Sequence, residues 1–129
     1  MVQLQDLRAG NYVFYNTIGS VPLTDYRFEN PRELCRVTGL EPEKVVLQFL
    51  DEQIRNEFSP EVHTHLINIS PVRLSPEIVD ACRLEDNHFQ LLPNGEDYRY
   101  KDQTVKYLHQ LQNLYADATG QALEVVWAF

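Results

Sequence analysis

The sequence predicts an α+β protein folded as one compact domain over residues 1–129. Three observations lead to this prediction: short apolar segments separated by turn residues, a marked helix start at residue 75, and a long amphipathic stretch near the C-terminus. The hydrophobic fraction of 43% is enough for a packed interior and excludes a disordered or low-complexity chain. We expect a β-rich part over residues 1–74 and a mixed α/β part over residues 75–129 that share one core.

The first part consists of short strand-like segments separated by turns. Gly10-Asn11 is a turn signal directly before strand-forming residues at 12–15. Residues 16–33 predict a long loop, and a second loop is expected around Ser59-Pro60. Further strands are predicted at residues 34–40, 45–50 and 62–69. This pattern indicates a small curled β-sheet or an SH3-like barrel.

The second part opens with helix-start chemistry. Ser75 is a favourable N-cap, Pro76 suits the first helical position, and Glu77 places an acid in the first turn. The short helix that follows is expected to end near Leu84. A β-hairpin comes next, with residues 89–92 meeting residues 98–100 across a turn that contains Pro, Asn and Gly.

The most pronounced pattern is an amphipathic helix from about Gln103 to Thr119. Its apolar positions recur at steps of three and four residues: Val105, Leu108, Leu111, Leu114, Tyr115 and Ala118. Gly120 suits the left-handed position just beyond the helix end. Alternating apolar residues over 123–129 then predict a closing β-strand beside the hairpin.

Composition also limits the compartment and the partners that we expect. The chain begins without a signal peptide and has no bilayer-spanning stretch, so we expect a cytoplasmic protein with no membrane association. Cys35 and Cys82 have apolar neighbours, which favours two free thiols. The formal charge of −8 argues against a protein whose main task is to bind nucleic acid.

Three segments of the chain resemble a known family. Residues 109–115, HQLQNLY, together with Thr119-Gly120, are similar to the C-terminal helix of small uncharacterised proteins encoded by Bacteroidetes genomes and by their phages and mobile elements. Residues 7–13 and 71–77 look like two further landmarks of that family, in the same order. Asp117 departs from the pattern, which more commonly has an apolar residue there. The resemblance implies a phage- or mobile-element-related protein and supplies no activity, cofactor or catalytic residue.

Two groups of polar residues are candidates for chemistry. His63 and His65 would share one face of a strand, where Glu61 or a distant carboxylate would be a third metal ligand, but the alternative of two exposed edge-strand histidines is favoured. His109, Gln112 and Asn113 flank the helical stripe as a pocket floor or, preferably, as a structural polar network. We assign no catalytic residue, metal or cofactor.

Aromatic residues are the candidates for an interaction surface. We select Tyr12, Tyr26, Phe28, Tyr98 and Tyr100, because exposed tyrosines favour protein contact. Residues 26–28 and 32–36 also mix aromatics with arginine, but neighbouring acids offset that charge. The favoured function is a non-enzymatic accessory protein that contacts an unknown protein or itself. The alternatives are an enzyme, a nucleic-acid-associated module, or an acidic DNA mimic, with a site formed only in the fold.

Overall fold

The α+β class is confirmed by a computed structural model that describes residues 2–17, 28–84 and 89–127. Contacts divide the chain into two compact units, Met1–Val72 (unit 1) and Arg73–Phe129 (unit 2). This boundary lies close to the expected division after residue 74, and a core shared by the two units stays a prediction. Within the described ranges, no helix has the length and hydropathy that crossing a bilayer requires.

Unit 1 is built around a curled antiparallel sheet of half-barrel form. Its elements are β1 (Tyr12–Asn16), β2 (Arg32–Leu40), β3 (Lys44–Phe49), α1 (Glu52–Glu57), β4 (Val62–His65) and β5 (Ile69–Pro71). The strand order is β4-β3-β2-β1-β5, so β4 and β5 form the two edges. The single strand expected over 62–69 is corrected: a 3-10 turn, Leu66–Asn68, separates β4 from β5.

The turn before β1 fixes how β1 pairs with β2. Gly10 has a φ of +97°, a left-handed conformation that favours glycine, and its N–H donates to the Val37 carbonyl at 2.7 Å. The Val37 N–H donates in return to the Asn11 carbonyl at 2.7 Å. The Asn11 side chain also accepts from the Arg8 N–H at 2.7 Å. These bonds hold the register in which Tyr12 lies opposite Arg36.

One side of the sheet forms the core of unit 1. Val13, Cys35 and Phe49 lie opposite one another on adjacent strands, and all three are fully buried. The Tyr15 and Phe49 rings meet edge to face with centroids 5.7 Å apart. Phe28 and Phe58 complete an aromatic cluster with them. The pleat therefore points alternate residues of each strand away from this core.

Helix α1 replaces part of the loop expected before β4. Asp51 is its N-cap, and its side chain accepts from the N–H groups of Gln53 and Ile54. Ile54 is the one buried residue of this short helix. With so few apolar residues, the segment has no helical stripe that sequence analysis could recognise.

In its described residues, unit 2 has two α-helices and a three-stranded antiparallel sheet. Its elements are α2 (Pro76–Ala81), β6 (Leu92–Asn94), β7 (Asp97–Tyr100), β8 (Gln103–Val105) and α3 (Leu108–Thr119). The expected cap of α2 is confirmed, since Ser75 Oγ accepts from the Ile78 N–H at 3.3 Å. A hairpin forms as expected, but its first strand is residues 92–94 rather than 89–92, and its turn is tighter, at Gly95 with a φ of +66°.

The last helix and the C-terminal segment differ from their predictions. Helix α3 begins at Leu108 rather than Gln103, because residues 103–105 pair with β7 as β8. The closing strand beside the hairpin is corrected in its described part: residues 122–127 belong to no sheet. The Val126 N–H instead donates to the Ala81 carbonyl at the end of α2, at 2.9 Å.

The core of unit 2 forms where α3 meets aromatic side chains. Leu108 and Leu111 are fully buried, and Tyr115 is almost so. Phe89 lies between two aromatic rings, stacked on Tyr100 with centroids 4.3 Å apart and tilted against Tyr115 at 5.2 Å. The buried stripe of α3 therefore matches the predicted one at these three positions, whereas Leu114 is half-buried and Ala118 is exposed.

Candidate interaction surface

The side of the five-stranded sheet that points away from the core of unit 1 is the principal candidate surface. Residues opposite one another in an antiparallel pair point to the same side, so the register identifies its members. We name this side the outer face, and its residues are Tyr12, Phe14, Asn16, Arg32, Leu34, Arg36, Gly39, Lys44, Val46, Gln48, His63, His65 and Ser70. Val46 is the buried member of this set.

Charge is unevenly divided between the two sides of this sheet. The five strands contain three basic residues, Arg32, Arg36 and Lys44, and all three belong to the outer face. The same strands contain one acidic residue, Glu33, which lies opposite Tyr15 on the core side. Within the strands themselves, the outer face of this chain of net charge −8 therefore carries basic residues and no acidic one, and the carboxylates that reach it are those of Glu41 and Glu61 beside His63 at the β4 edge.

Aromatic rings of β1 lie beside arginines of β2 at the centre of the outer face. Arg36 is exposed and lies directly opposite half-buried Tyr12. The Arg32 guanidinium lies 4.9 Å from the centroid of the Phe14 ring, a favourable cation–π geometry. Arginine and tyrosine are the residue types that are enriched in protein–protein interfaces.

The two strand histidines lie on the outer face at the sheet edge. His63 and His65 are exposed on β4, and buried Thr64 separates them, which confirms the expected alternation. The Nδ1 atom of His63 contacts a Glu41 carboxylate oxygen, and its Nε2 atom lies 3.6 Å from Glu61 Oε1. Both ring nitrogens therefore face carboxylates in a surface ion cluster.

This cluster does not have the form of a metal centre. Glu41 and Glu61 approach opposite nitrogens of one imidazole, so the two carboxylates do not converge with a single ring nitrogen on one point. Among the side chains of residues 2–17, 28–84 and 89–127, no three His, Cys, Asp or Glu residues are placed to hold a metal ion. Glu61, the third ligand weighed from the sequence, instead contacts His63.

The polar residues of α3 are divided between buried and partly buried positions. His109 and Gln112 are buried, whereas Asn113 is half-buried. The His109 ring is stacked on Tyr107, with centroids 5.9 Å apart and planes inclined by 10°. The predicted structural network of these three residues is compatible with their burial and stays a prediction.

The five aromatic candidates do not share one environment. Tyr12 belongs to the outer face, whereas Phe28 packs on the core of unit 1. Tyr98 and Tyr100 are half-buried on β7, and Tyr100 is stacked on Phe89. Tyr26 lies outside the described residues. Of these candidates, Tyr12 lies on the outer face, directly opposite Arg36.

The two cysteines are buried free thiols, as the sequence predicts. Burial, reinforced by the nearby Glu33 carboxylate, raises the pKa of the Cys35 thiol far above its ordinary value. Burial alone raises the pKa of the Cys82 thiol to about 12. Because the thiolate is the reactive form of cysteine, neither residue has the character of a nucleophile at neutral pH.

No family model, curated protein or solved structure matches the chain. The outer face must therefore be interpreted from its own chemistry. Sequence analysis missed Arg36, Lys44 and Gln48 as members of one surface. The alternation of Arg32, Leu34 and Arg36 with Cys35 and Val37 is visible in the sequence, but only the register brings the other strands into line with it.

Proposed function

We propose that this is a non-enzymatic accessory protein that acts by contact, and that its outer face binds an acidic segment of another protein. The observation that carries the proposal is the division of strand charges, with Arg32, Arg36 and Lys44 together on the outer face and Glu33 on the other side. The resemblance to small phage- and mobile-element proteins supports an accessory role in such a gene set, with the cytoplasm as the site of action.

Charge complementarity selects the class of partner. Cations that share one face of a sheet attract carboxylates and suppress contact with basic surfaces. The apolar parts of Tyr12, Phe14 and Leu34 would supply contact area next to these charges. A folded or extended protein segment that carries several Asp or Glu residues meets both requirements.

A protein partner is favoured over nucleic acid because of the rest of the molecule. Nineteen acidic residues against eleven basic ones repel a polyphosphate before any short-range contact forms. An acidic protein segment has a lower charge density than DNA, so this repulsion costs it less binding free energy. A second copy of this acidic chain is one form that such a partner can take.

The first experiment compares three immobilised proteins: wild type, Arg36→Glu and the control Lys106→Glu. Both positions are exposed cations, but Lys106 lies in unit 2, outside the outer face. Nuclease-treated lysate of the native cell is passed over each protein, and bound proteins are quantified by mass spectrometry. We expect a partner that wild type and Lys106→Glu retain equally and that Arg36→Glu loses, with binding that weakens as salt is added.

A second measurement tests the surface without the native partner. A fluorescent oligoglutamate peptide is titrated into the same three proteins at low ionic strength, and its anisotropy is recorded. Arg36→Glu is expected to weaken binding by at least about fivefold, the scale of one exposed ion pair, and Lys106→Glu by less than twofold. Equal binding by wild type and Arg36→Glu in both experiments would contradict the proposal.

A further inference from the structure

Unit 2 contains a groove beside the stacked rings of Phe89 and Tyr100. Its volume is about 380 Å³, within the range of small-molecule sites. The residues that define its chemistry are Phe89, Leu92, Arg99, Tyr100, Lys101 and Thr119. Its lining residues belong to unit 2, whereas the residues of the outer face belong to unit 1.

The charge of this groove is opposite to that of the whole chain. Arg99 and Lys101 line it, and none of the described lining residues is acidic. Between described residues, neither cation forms an ion pair with a carboxylate. Arg73 gives the contrast, because Asp97 lies 2.9 Å from its guanidinium and Glu96 lies 3.8 Å away. Two cations are therefore available to a ligand in a chain with a net charge of −8.

The backbone and the aromatic rings position these cations. Lys101 has a φ of +53°, so the turn after β7 holds it in the left-handed region. Its ammonium lies 5.3 Å from the centroid of the Tyr100 ring. Arg99 lies directly opposite Leu92 in the hairpin, so their side chains emerge side by side.

Apolar surface completes the groove. Leu92 is 52% exposed, one of the large hydrophobic residues that the fold leaves open to solvent. Phe89 and Tyr100, stacked with their planes inclined by 7°, form an aromatic wall of the groove. A ligand that covers Leu92 while it places a negative charge between Arg99 and Lys101 satisfies both features of the groove.

The C-terminal end of α3 opposes this charge but does not cancel it. A helix C-terminus carries roughly half a negative charge on its last carbonyl groups. Two of those groups are already satisfied: the Thr119 hydroxyl donates to the Tyr115 carbonyl at 2.8 Å, and the Gly120 N–H donates to the Ala116 carbonyl at 2.8 Å. Two full positive charges therefore dominate the groove.

We infer that this groove binds a small organic acid, with its carboxylate between Arg99 and Lys101 and its apolar body against Leu92 and the Phe89–Tyr100 wall. The groove accommodates a compact ligand rather than a chain, because its volume is near the lower end of the range for ligand sites. This inference is independent of the proposed role of the outer face.

The experiment uses two probes of nearly equal shape, phenylacetate and its neutral amide, phenylacetamide. Each is titrated into the full chain while backbone amide shifts are followed by NMR. We expect saturable shifts at Leu92, Arg99, Lys101 and Thr119 with phenylacetate, and binding of the amide that is weaker by about fivefold or more. Added salt should weaken binding of the acid and leave binding of the amide unchanged.

Variants distinguish an effect of the two groove cations on binding from an effect of the net charge of the protein. Arg99→Gln and Lys101→Gln should each weaken phenylacetate binding by about fivefold, whereas Lys106→Gln, which removes the same charge elsewhere, should change it by less than twofold. Equal affinities for acid and amide, or equal losses in all three variants, would overturn the inference. So would the lack of saturation by about 10 mM phenylacetate.

Discussion

The Arg32 guanidinium lies over the ring of Phe14, 4.9 Å from its centroid, and this contact links neighbouring strands on the outer face. Phe14 is directly opposite Leu34, so Arg32 is its diagonal neighbour, within reach of a long side chain. The contact holds an exposed cation at a fixed place above the sheet. It therefore orders a cation without burying its charge.

This geometry predicts that Arg32 contributes little to folding. Arg32→Gln should lower the free energy of unfolding by no more than about 1 kcal/mol, the scale of an exposed cation–π pair. Urea denaturation of the two proteins, monitored by circular dichroism, measures the difference. A loss above about 2 kcal/mol would mean that Arg32 has a structural role beyond the cation–π contact.

The buried thiol of Cys82 predicts a loss of stability in alkaline solution. Its pKa rises from an ordinary 9.0 to about 12 in the folded chain. Below pH 9 the Cys82 thiol is protonated in both the folded and the unfolded chain, so the free energy of unfolding is unaffected by its ionisation. Between pH 9 and pH 12 the thiol loses its proton only in the unfolded chain, so the free energy of unfolding falls as the pH rises. The slope is at most about 1.4 kcal/mol per pH unit.

The matched control for this effect is Cys82→Ala. Urea melts at pH 8 and pH 10 give the alkaline loss of stability for each protein. Every other titratable group, Cys35 included, is common to both proteins, so the difference between their losses isolates the Cys82 thiol. We expect a smaller loss in Cys82→Ala than in wild type. Equal losses would show that the thiol ionises alike in the folded and unfolded chains.

Local signals made several elements predictable from the sequence. Ser75 and Pro76 start α2 as expected, because capping depends on a few adjacent residues. Gly10-Asn11 precedes β1 for a similar reason, since the backbone itself requires a left-handed residue there. The buried stripe through Leu108, Leu111 and Tyr115 was predictable because helical spacing alone defines it.

Features that depend on pairing were not predictable. Residues 103–105 fit the helical spacing, yet they join β7 as a third strand, so tertiary pairing overrode the local pattern. From Leu123 to Trp127 more buried and exposed residues alternate, as expected for a strand. Alternation shows which side of the segment is buried, but it does not show whether the backbone pairs with another strand. The outer face also depends on the register between strands, including the irregularity in the β2–β3 pairing between Val37 and Gly39. The sequence of one strand does not specify how that strand pairs with its neighbours.

Charge predicts the response of the protein to nucleic acid. At about 0.15 M salt, the dissociation constants for duplex and single-stranded DNA should be larger than about 1 µM. Non-specific dissociation constants typically lie between roughly 10⁻⁴ and 10⁻⁶ M. Anisotropy titrations of labelled oligonucleotides measure both. Tighter, salt-dependent binding that Arg36→Glu removes would assign the outer face to nucleic acid instead of an acidic protein segment.

Helix α3 supplies the most direct test of the core of unit 2. Leu111 is fully buried on the same side of the helix as Leu108 and Tyr115. Leu111→Ala should lower the free energy of unfolding by about 2–5 kcal/mol, because it removes buried methyl groups and leaves a cavity. Lys106, an exposed residue before the helix, gives the control, and Lys106→Ala should change stability by no more than about 0.5 kcal/mol.

Thermal and urea melts of both variants measure these differences. A domain of this size is typically stable by about 5–15 kcal/mol, so the expected loss in Leu111→Ala would be a large fraction of the total. A loss as small as that of Lys106→Ala would contradict the burial of the stripe. The apolar side of α3 would then be an accessible surface, and the search for a protein contact would move from the outer face to this helix.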